Sequence, residues 1–226
     1  MDYDLVNLFR TIKLTASSLV FPLYCPACGK IWYNGTGWIC PNCWDTLSPP
    51  GRGTWYHIRS LKGKVLVAFQ YSEITRNLVH YLKFYGRVDI ASESGKWAVG
   101  RLKDELSGIH LKGIVPVPLH PVRVRERGYD QNLIIAHSVA DQLELPVFDN
   151  IIKRIRNTPP QSRLSDNERR RNISDAFAPE KESISLKQGT LLLVDDVIHT
   201  GATVLGCIKA IRKAGFRDVM VLAVFG

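Results

Sequence analysis

The sequence predicts an α/β protein in which helices flank a parallel sheet, preceded by a small cysteine-containing module. From residue 64 onward, short apolar runs alternate with segments of helical spacing, a pattern typical of parallel strand–helix–strand units. Before this region, four cysteines form two closely spaced pairs within the first 43 residues. A length of 226 residues suits one good-sized core plus a small extra module.

Composition places the chain among ordinary soluble globular proteins, with 45% hydrophobic and 23% charged residues. It excludes disorder, collagen and coiled coil as the main state. The uncharged stretch 14–29 contains Thr15, Pro22 and two cysteines, so it does not resemble a membrane-spanning helix. Asp2 and Asp4 stand where a secretory signal carries basic residues. We therefore expect a cytoplasmic protein without a membrane span.

The net charge of +9 is the main clue in the composition about partners. A basic excess favours an anionic partner such as nucleic acid or a phosphorylated ligand. Plain solubility explains the same excess equally well. The charge therefore leaves both interpretations open.

The first 53 residues are predicted to form a separate unit. Apolar residues in 1–24 recur roughly along one helical face, which predicts a lead-in helix. The prolines and glycines of 48–53 indicate a turn or linker. We therefore divide the chain into a helix and cysteine module over 1–53 and an α/β domain over 54–226.

The two cysteine pairs predict a structural zinc site with Cys25, Cys28, Cys40 and Cys43 as ligands. Each pair supplies two thiolates from one tight turn, and two such turns complete a tetrahedron. The run between the pairs, rich in aromatic residues and glycine, suits a short hairpin packed around the metal. Two disulfides are the alternative, which a reducing cytosol disfavours. The fifth cysteine, Cys207, is interpreted as a small buried apolar residue.

The elements of the larger domain follow in order along the chain. Strands are predicted over 64–71, 113–118, 151–155, 191–194 and 219–224. Helices are predicted over 73–85, 132–143 and 202–214. The run 191–194 is continuously apolar, as expected for a strand buried on both faces. Ligands of such sheets bind beyond the carboxyl ends of the strands.

The segment after that buried strand carries the predicted chemistry. Asp195 and Asp196 come at the end of the strand, and a short loop leads to a helix start with Thr200, Gly201, Ala202 and Thr203. Backbone N–H groups, hydroxyls and the helix dipole at such a start bind phosphate. A Walker A loop is excluded because no Gly-Lys-Ser/Thr follows. Simple helix capping is the structural alternative.

This segment resembles the phosphoribosyl diphosphate (PRPP) motif of type I phosphoribosyltransferases, and the chain as a whole resembles the ComF family of competence proteins. Further blocks of similarity are 81–87, 115–120, 125–132 and 158–172. The resemblance implies a type I phosphoribosyltransferase-like fold. It also implies that the two acids contact the ribose hydroxyls and that the loop holds the 5′-phosphate. His199 departs from the small hydroxyl residue that is common at its position.

The strand that ends at Pro118 would place its loop beside the phosphate-binding segment. Pro118 and Leu119 are therefore expected near the pyrophosphate of PRPP, with Mg²⁺ accompanying the ligand. The full set of residues predicted to bind PRPP is Asp195, Asp196, His199, Thr200, Gly201, Ala202, Thr203, Pro118 and Leu119. The two aspartates are also the predicted catalytic residues.

Basic residues outside this set are candidates for contact with DNA. They are Lys83, beside Phe84 and Tyr85, and Arg123, Arg125, Arg127, Arg163, Arg169, Arg170 and Arg171. Arg123, Arg125 and Arg127 also suit the pyrophosphate, although alternate spacing means that they need not all face one ligand. The segment 153–171 is either a hood over PRPP or a track for a nucleic-acid backbone. A solvated charged face remains the alternative for both groups.

Two functions follow from the resemblance. The first is a competence factor that binds PRPP and single-stranded DNA during uptake and works with the competence helicase and translocation channel, recruited to the inner face of the membrane. The second is an active phosphoribosyltransferase with an unidentified acceptor. A zinc-finger regulator is disfavoured, because the cysteine module is not basic and lacks a recognition helix.

Overall fold

The computed structural model describes residues 23–32, 39–47, 55–57, 64–157, 176–180 and 189–226. Most of the predicted lead-in helix and the linker 48–53 lie outside these residues. The last two residues of the predicted helix, Leu23 and Tyr24, form a strand instead. The boundary between 1–53 and 54–226 therefore stays a prediction.

The cysteine module is a hairpin followed by one short helix. Strand β1 (Leu23–Tyr24) pairs antiparallel with β2 (Ile31–Trp32), and the first cysteine pair occupies the turn between them. The second pair lies at the start of α1 (Pro41–Thr46), with Pro41 in its first turn. The hairpin thus surrounds the first pair, whereas we predicted it between the two pairs, where residues 33–38 lie outside the described part.

Among the described residues, five strands form the main sheet, and with strands numbered along the chain their order is β3-β4-β9-β8-β5. The parallel strands are β4 (Lys64–Phe69), β5 (Leu111–Pro116), β8 (Thr190–Val197) and β9 (Val219–Phe225). Strand β3 (Trp55–His57) pairs antiparallel at one edge and was not predicted. The predicted parallel sheet is confirmed, and the carboxyl ends of its four parallel strands meet at one edge.

Helices and a small two-stranded sheet surround this sheet. The helices are α2 (Glu73–Phe84), α3 (Val88–Arg101), α4 (Lys103–Leu106), α5 (Pro121–Arg127), α6 (Gln131–Leu143) and α7 (Ala202–Lys213). Strand β6 (Ile152–Arg154) pairs antiparallel with β7 (Phe177–Pro179). No helix within these residues is long and apolar enough to cross a lipid bilayer.

The two faces of the sheet carry separate apolar cores. Alternating strand residues point to opposite faces, so Leu192 joins the core under α3 and α6, whereas Leu193 joins the core under α7. The cysteine module packs onto the first core. Burial on both faces explains the continuous apolar run Leu191–Val194 of β8, which is followed within the strand by two buried aspartates.

Helix α5 differs from the loop that we expected around Arg123, Arg125 and Arg127. His120 caps its start by accepting a hydrogen bond at Nδ1 from the Val122 N–H (3.3 Å), and Pro121 suits the first helical position. On this helix Arg123 and Arg127 are four positions apart and share one face, whereas Arg125 lies on another.

Candidate functional site

Asp195 and Asp196 form the centre of a pocket at the carboxyl edge of the sheet. Both lie near the end of β8, and both are only 5% exposed. One oxygen of Asp195 accepts hydrogen bonds from the Asp196 N–H (3.0 Å) and from Nδ2 of Asn132 (3.2 Å). Two buried carboxylates side by side are costly without partners, so their environment is built to hold them.

The first turn of α6 supplies most of these partners. Asn132 donates to the Val117 carbonyl (2.9 Å) and accepts from the Asp196 N–H (3.2 Å). Gln131 donates from Nε2 to Asp196 (3.1 Å) and accepts at Oε1 from Arg127 (2.8 Å). Both amide side chains are almost completely buried. They therefore fix the two carboxylates in place before any ligand arrives.

Asn132 and Gln131 were within a block that we compared with the ComF family, but we assigned them no role. Their position directly after Asp130, a residue type that often caps a helix, was the signal in the sequence that could have identified them. That residue caps α6 by accepting from the Leu133 N–H (3.1 Å). Polar amides in the first turn of a helix at the sheet's carboxyl edge are well placed to contact a ligand or its supporting residues.

Lys83 lies in this pocket, with its Nζ 2.9 Å from a carboxylate oxygen of Asp196. Its side chain is 23% exposed and reaches the pocket from the last turn of α2. We predicted Lys83 as a contact to DNA. The structure places it as the cation beside the two acids.

Burial raises the pKa of Asp195 to about 7. The negative charge of Asp196 adds to the increase, whereas Lys83 and the hydrogen bonds from the Asp196 N–H and Asn132 oppose it. Asp195 therefore changes between its neutral and its charged form near neutral pH. A ligand that offers hydroxyl donors or a divalent cation would favour the charged form of Asp195.

The 198–203 loop forms the wall of the pocket next to the acids. Gly201 has a φ of 72°, a left-handed conformation that suits glycine, and α7 starts at the next residue. The first N–H groups of a helix lack partners within the helix and point toward whatever binds at its start. His199, Thr200 and Thr203 line the same cavity, and the His199 ring packs edge-on against Tyr71.

Cationic side chains also line the pocket. Pro118 and Leu119 follow β5 and line a cavity of about 600 Å³ together with Arg123, Arg127 and Arg154. Burial lowers the pKa of Arg127 and that of Arg154, yet a guanidinium stays charged at physiological pH. A pocket lined by cations as well as by a helix start is suited to a ligand with phosphate groups at both ends.

The remaining predicted arginines divide into two groups. Arg125 is exposed on α5 and does not line this cavity, so the three α5 arginines do not act on one ligand together. Arg123 is paired with Glu126 (2.7 Å). Arg163, Arg169, Arg170 and Arg171 lie outside the described residues, and their role stays a prediction.

The four cysteines Cys25, Cys28, Cys40 and Cys43 converge on one point. Their sulfur atoms all lie within 4.8 Å of one another. The Sγ atoms of Cys28 and Cys40 are 3.8 Å apart, which is about the edge of a tetrahedron of zinc–sulfur bonds of roughly 2.3 Å. A disulfide needs about 2.05 Å, and all four are free thiols here. The cluster can therefore hold a metal ion in a closed four-sulfur site.

Hydrogen bonds and aromatic packing join the cysteine module to the helices of the main sheet. Asn77 of α2 donates to the Ala27 carbonyl (2.8 Å), and Arg101 of α3 donates to the Leu47 carbonyl (3.0 Å). Trp44 packs edge-on against Trp97. Because α2 also carries Lys83, one helix contacts both the cysteine module and the two acids.

Comparison with known proteins gives matches of two kinds. A family model described as a phosphoribosyl transferase domain matches residues 131–225. Competence protein F of Haemophilus influenzae is 30% identical over 161 residues, covering 70% of each chain. DNA utilization protein YhgH of Salmonella typhimurium is 32% identical over 147 residues, covering 64% of this chain and 63% of that protein. The chain thus spans about two thirds of the length of these relatives.

Among solved structures, the glutamine PRPP amidotransferase of B. subtilis, complexed with ADP and GMP, has 15% sequence identity and a TM-score of 0.40. The match covers 63% of this chain and 30% of that one. Adenine phosphoribosyltransferase of Saccharomyces cerevisiae has 12% identity and a TM-score of 0.37, covering 62% of this chain and 69% of that one.

Proposed function

We propose a function on the premise that the chain belongs to the Competence protein F family: it takes part in DNA uptake, binding PRPP in the pocket and single-stranded DNA at its surface. The relatives named for competence and for DNA utilization support the role in DNA uptake. The phosphoribosyl transferase domain that matches residues 131–225 supports a phosphoribosyl ligand.

One observation carries the assignment of the ligand. Two buried, pre-organised carboxylates near the end of β8 share a pocket with a helix start that has a left-handed glycine and with half-buried arginines. In our proposal, Asp195 and Asp196 accept hydrogen bonds from the ribose hydroxyls. The 198–203 loop binds the 5′-phosphate, and the pyrophosphate lies along Pro118, Leu119 and Arg127.

Mg²⁺ fits this proposal as part of the ligand. Asp196 already contacts Lys83 (2.9 Å) and Gln131 (3.1 Å) through its Oδ2 atom, and the Lys83 ammonium would repel a resident divalent cation beside it. A metal ion that prefers oxygen ligands and keeps its waters is more easily brought in on a pyrophosphate. The Mg²⁺ ion would then neutralise part of the negative charge of the pyrophosphate, and the two aspartates would attract the ion through their own charge.

The proposed partners and location follow from the family. We propose that the protein acts in the cytoplasm, where the competence helicase and translocation channel recruit it to the inner face of the membrane. Its positive net charge favours a polyanion. Arg163, Arg169, Arg170 and Arg171 are proposed contacts to the DNA backbone. We also propose 1–53 and 54–226 as its two units, with zinc as the metal of the first.

Calorimetric titration of PRPP–Mg²⁺ into the metal-loaded protein tests the ligand assignment. We expect binding by the wild type and its loss in the double variant Asp195→Asn with Asp196→Asn, which keeps the shape of both side chains. Asp104→Asn with Asp141→Asn, two exposed surface changes of the same kind, is the matched control. PRPP affinity that survives in the aspartate double variant would show that the site is wrongly assigned.

A second candidate function, active phosphoribosyl transfer, is favoured by the pre-organisation of the two acids. In that reaction the bond from C1 of the ribose to the pyrophosphate breaks, and a bond from C1 to an acceptor nucleophile forms. The acceptor's proton passes to solvent or a base, and pyrophosphate leaves. Positioning and charge stabilisation would supply most of the catalysis.

Release of pyrophosphate from PRPP–Mg²⁺ distinguishes a binding protein from a transferase. Pyrophosphate is measured with and without single-stranded DNA or free nucleobases as acceptor. Turnover that depends on an acceptor and is lost in the aspartate double variant would establish the enzyme. Binding without release for every acceptor tried would favour a PRPP-binding competence factor.

A further inference from the structure

Four aromatic rings form a continuous surface at the carboxyl end of α2. We call this surface, made of His80, Tyr81, Phe84 and Tyr85, the aromatic ledge. The His80 ring centre lies 5.0 Å from that of Phe84 and 5.5 Å from that of Tyr85, and Tyr81 lies 4.7 Å from Tyr85. Within the described residues, Phe84 (69% exposed) and Tyr85 (61% exposed) are the most exposed large apolar side chains.

Only Tyr81 of the four rings packs partly buried against the core, whereas His80, Phe84 and Tyr85 are exposed. The opposite side of α2 already buries Leu78 and Leu82 completely. The end of the helix is held by a hydrogen bond from the Tyr129 hydroxyl to the Leu82 carbonyl and by one from the Tyr85 N–H to the Tyr81 carbonyl (3.1 Å). Single exposed apolar residues are common, but a contiguous exposed patch marks a binding surface.

The position of the ledge indicates which partner it binds. Phe84 and its neighbour Lys83 line the same cavity as Arg123 and Arg127. Flat aromatic faces beside a cationic wall are the arrangement that holds single-stranded nucleic acid, because bases stack on rings while phosphates lie on cations. An apolar protein partner would not require adjacent cations.

We propose that the aromatic ledge stacks the bases of single-stranded DNA, with the phosphate backbone running toward Arg123, while Arg127 stays with the pyrophosphate of PRPP. This inference rests on the single-stranded DNA binding in the proposed function and adds a binding mode to it. The rings pack against one another, so little side-chain freedom is lost when a base stacks. Stacking is tolerant of sequence, since every base has a π-face.

Fluorescence anisotropy with a labelled oligothymidylate tests the ledge. Phe84→Leu with Tyr85→Leu keeps apolar volume and helix propensity but removes both π-faces. Stacking of one base is worth about 5-fold to 150-fold in affinity, and we expect about a tenfold loss. Phe84→Trp should retain or improve the affinity. Val88→Ala, a nearby exposed apolar change, is the matched control.

Two further comparisons separate stacking from electrostatics. A strand of abasic sites keeps the phosphates but lacks the bases, so the wild type should bind it about tenfold more weakly. The leucine variant should bind both strands alike. The salt dependence should be parallel in wild type and leucine variant, because no phosphate contact is lost. Arg123→Gln should instead reduce the salt slope by about one.

The outcomes separate this inference from the proposed function. Equal binding of oligothymidylate by the wild type and the leucine variant would overturn the ledge while DNA binding stands. Equal binding of abasic and normal strands by the wild type would also overturn base stacking on the ledge. The exposed rings would then be a candidate surface for a protein partner. Binding of PRPP without any binding of DNA would overturn the ledge and the DNA part of the proposed function, but leave the phosphoribosyl site intact.

Discussion

The Nζ atom of Lys83 lies 2.9 Å from a carboxylate oxygen of Asp196, and this contact joins α2 to the end of β8. The same helix is joined to the cysteine module through Asn77. The last turn of α2 therefore connects three features: the acids, the exposed rings and the predicted metal centre. Helix α2 can therefore transmit a structural change at any one of these three features to the other two.

Lys83→Met should destabilise the protein most at high pH. The substitution leaves two buried carboxylates without their cation, which costs several kcal/mol for a fully buried pair. Because Lys83 is partly exposed, we expect about 1–3 kcal/mol at pH 8. The loss should shrink as the pH falls and one carboxyl group takes up a proton. Urea unfolding at several pH values measures this.

Lys96→Met is the control for that prediction. Lys96 pairs with Glu93 (2.7 Å) on the exposed side of α3, and such surface pairs contribute about 0–1 kcal/mol. A loss of equal size in both variants, or a Lys83→Met loss that does not depend on pH, would contradict the role of Lys83 as the cation of the buried acids.

Asp195→Asn should make the protein more stable at pH 8 while removing PRPP binding. Burial raises the pKa of Asp195 to about 7, whereas the unfolded chain releases that proton near pH 4. Between those pH values the folded state holds more protons than the unfolded state, so wild-type stability falls as the pH rises. The asparagine variant lacks this decline and can still accept the hydrogen bonds made by the Asp196 N–H and Asn132.

Urea unfolding of wild type and Asp195→Asn at pH 5, 6, 7 and 8 checks the sign. The difference between them should grow in favour of the variant up to about pH 7 and then level off. A wild type that gains stability relative to the variant over this range would show that Asp195 is charged at low pH.

The strand and loop around Asp195 could be predicted because their signal is local. An apolar run, two acids and a glycine before a helix all fall within thirteen residues. The support of the acids has no such signal, since Asn132 is 63 positions away from Asp195. Only the parallel sheet, which aligns the ends of β5 and β8, brings them together.

Helix α3 escaped prediction for a different reason. Its sequence contains Ser94, Gly95 and Gly100, which disfavour a helix locally. A Cβ atom added to Gly95 would lie 2.8 Å from the Cβ of Ser138 and 2.9 Å from the Ile135 carbonyl. Close packing of α3 on α6 therefore requires a glycine at residue 95. The same glycine weakens the helix signal in the sequence.

A comparison of two substitutions in α3 tests this explanation. Gly95→Ala should destabilise the protein by about 1–3 kcal/mol, because overpacking forces α3 and α6 apart. Gly100→Ala meets no atom within 4 Å and should stabilise by up to about 1 kcal/mol through helix propensity. Thermal unfolding measures both variants. Effects of the same sign would show that helix propensity, and not the contact with α6, decides the choice of glycine at residue 95.

Removal of the metal should unfold the cysteine module first and then loosen α2 and α3. Binding of a structural metal supplies most of the folding free energy of so small a unit. Once the module loosens, Asn77 and Arg101 lose their carbonyl partners at Ala27 and Leu47. Cys43→Ser should therefore abolish bound zinc. It should also reduce the hydrogen-exchange protection of 23–47 most strongly and that of α2 and α3 to a lesser degree.

Cys207→Ala is the matched control for that experiment, since it removes a buried thiol that lies in the other core. It should retain one zinc ion per chain, measured by atomic absorption, and leave the protection of 23–47 intact. Full zinc content in Cys43→Ser would contradict the four-sulfur site. A zinc-free Cys43→Ser protein could also keep the full hydrogen-exchange protection of α2 and α3. That result would show that loss of the metal does not loosen these helices through the hydrogen bonds from Asn77 and Arg101.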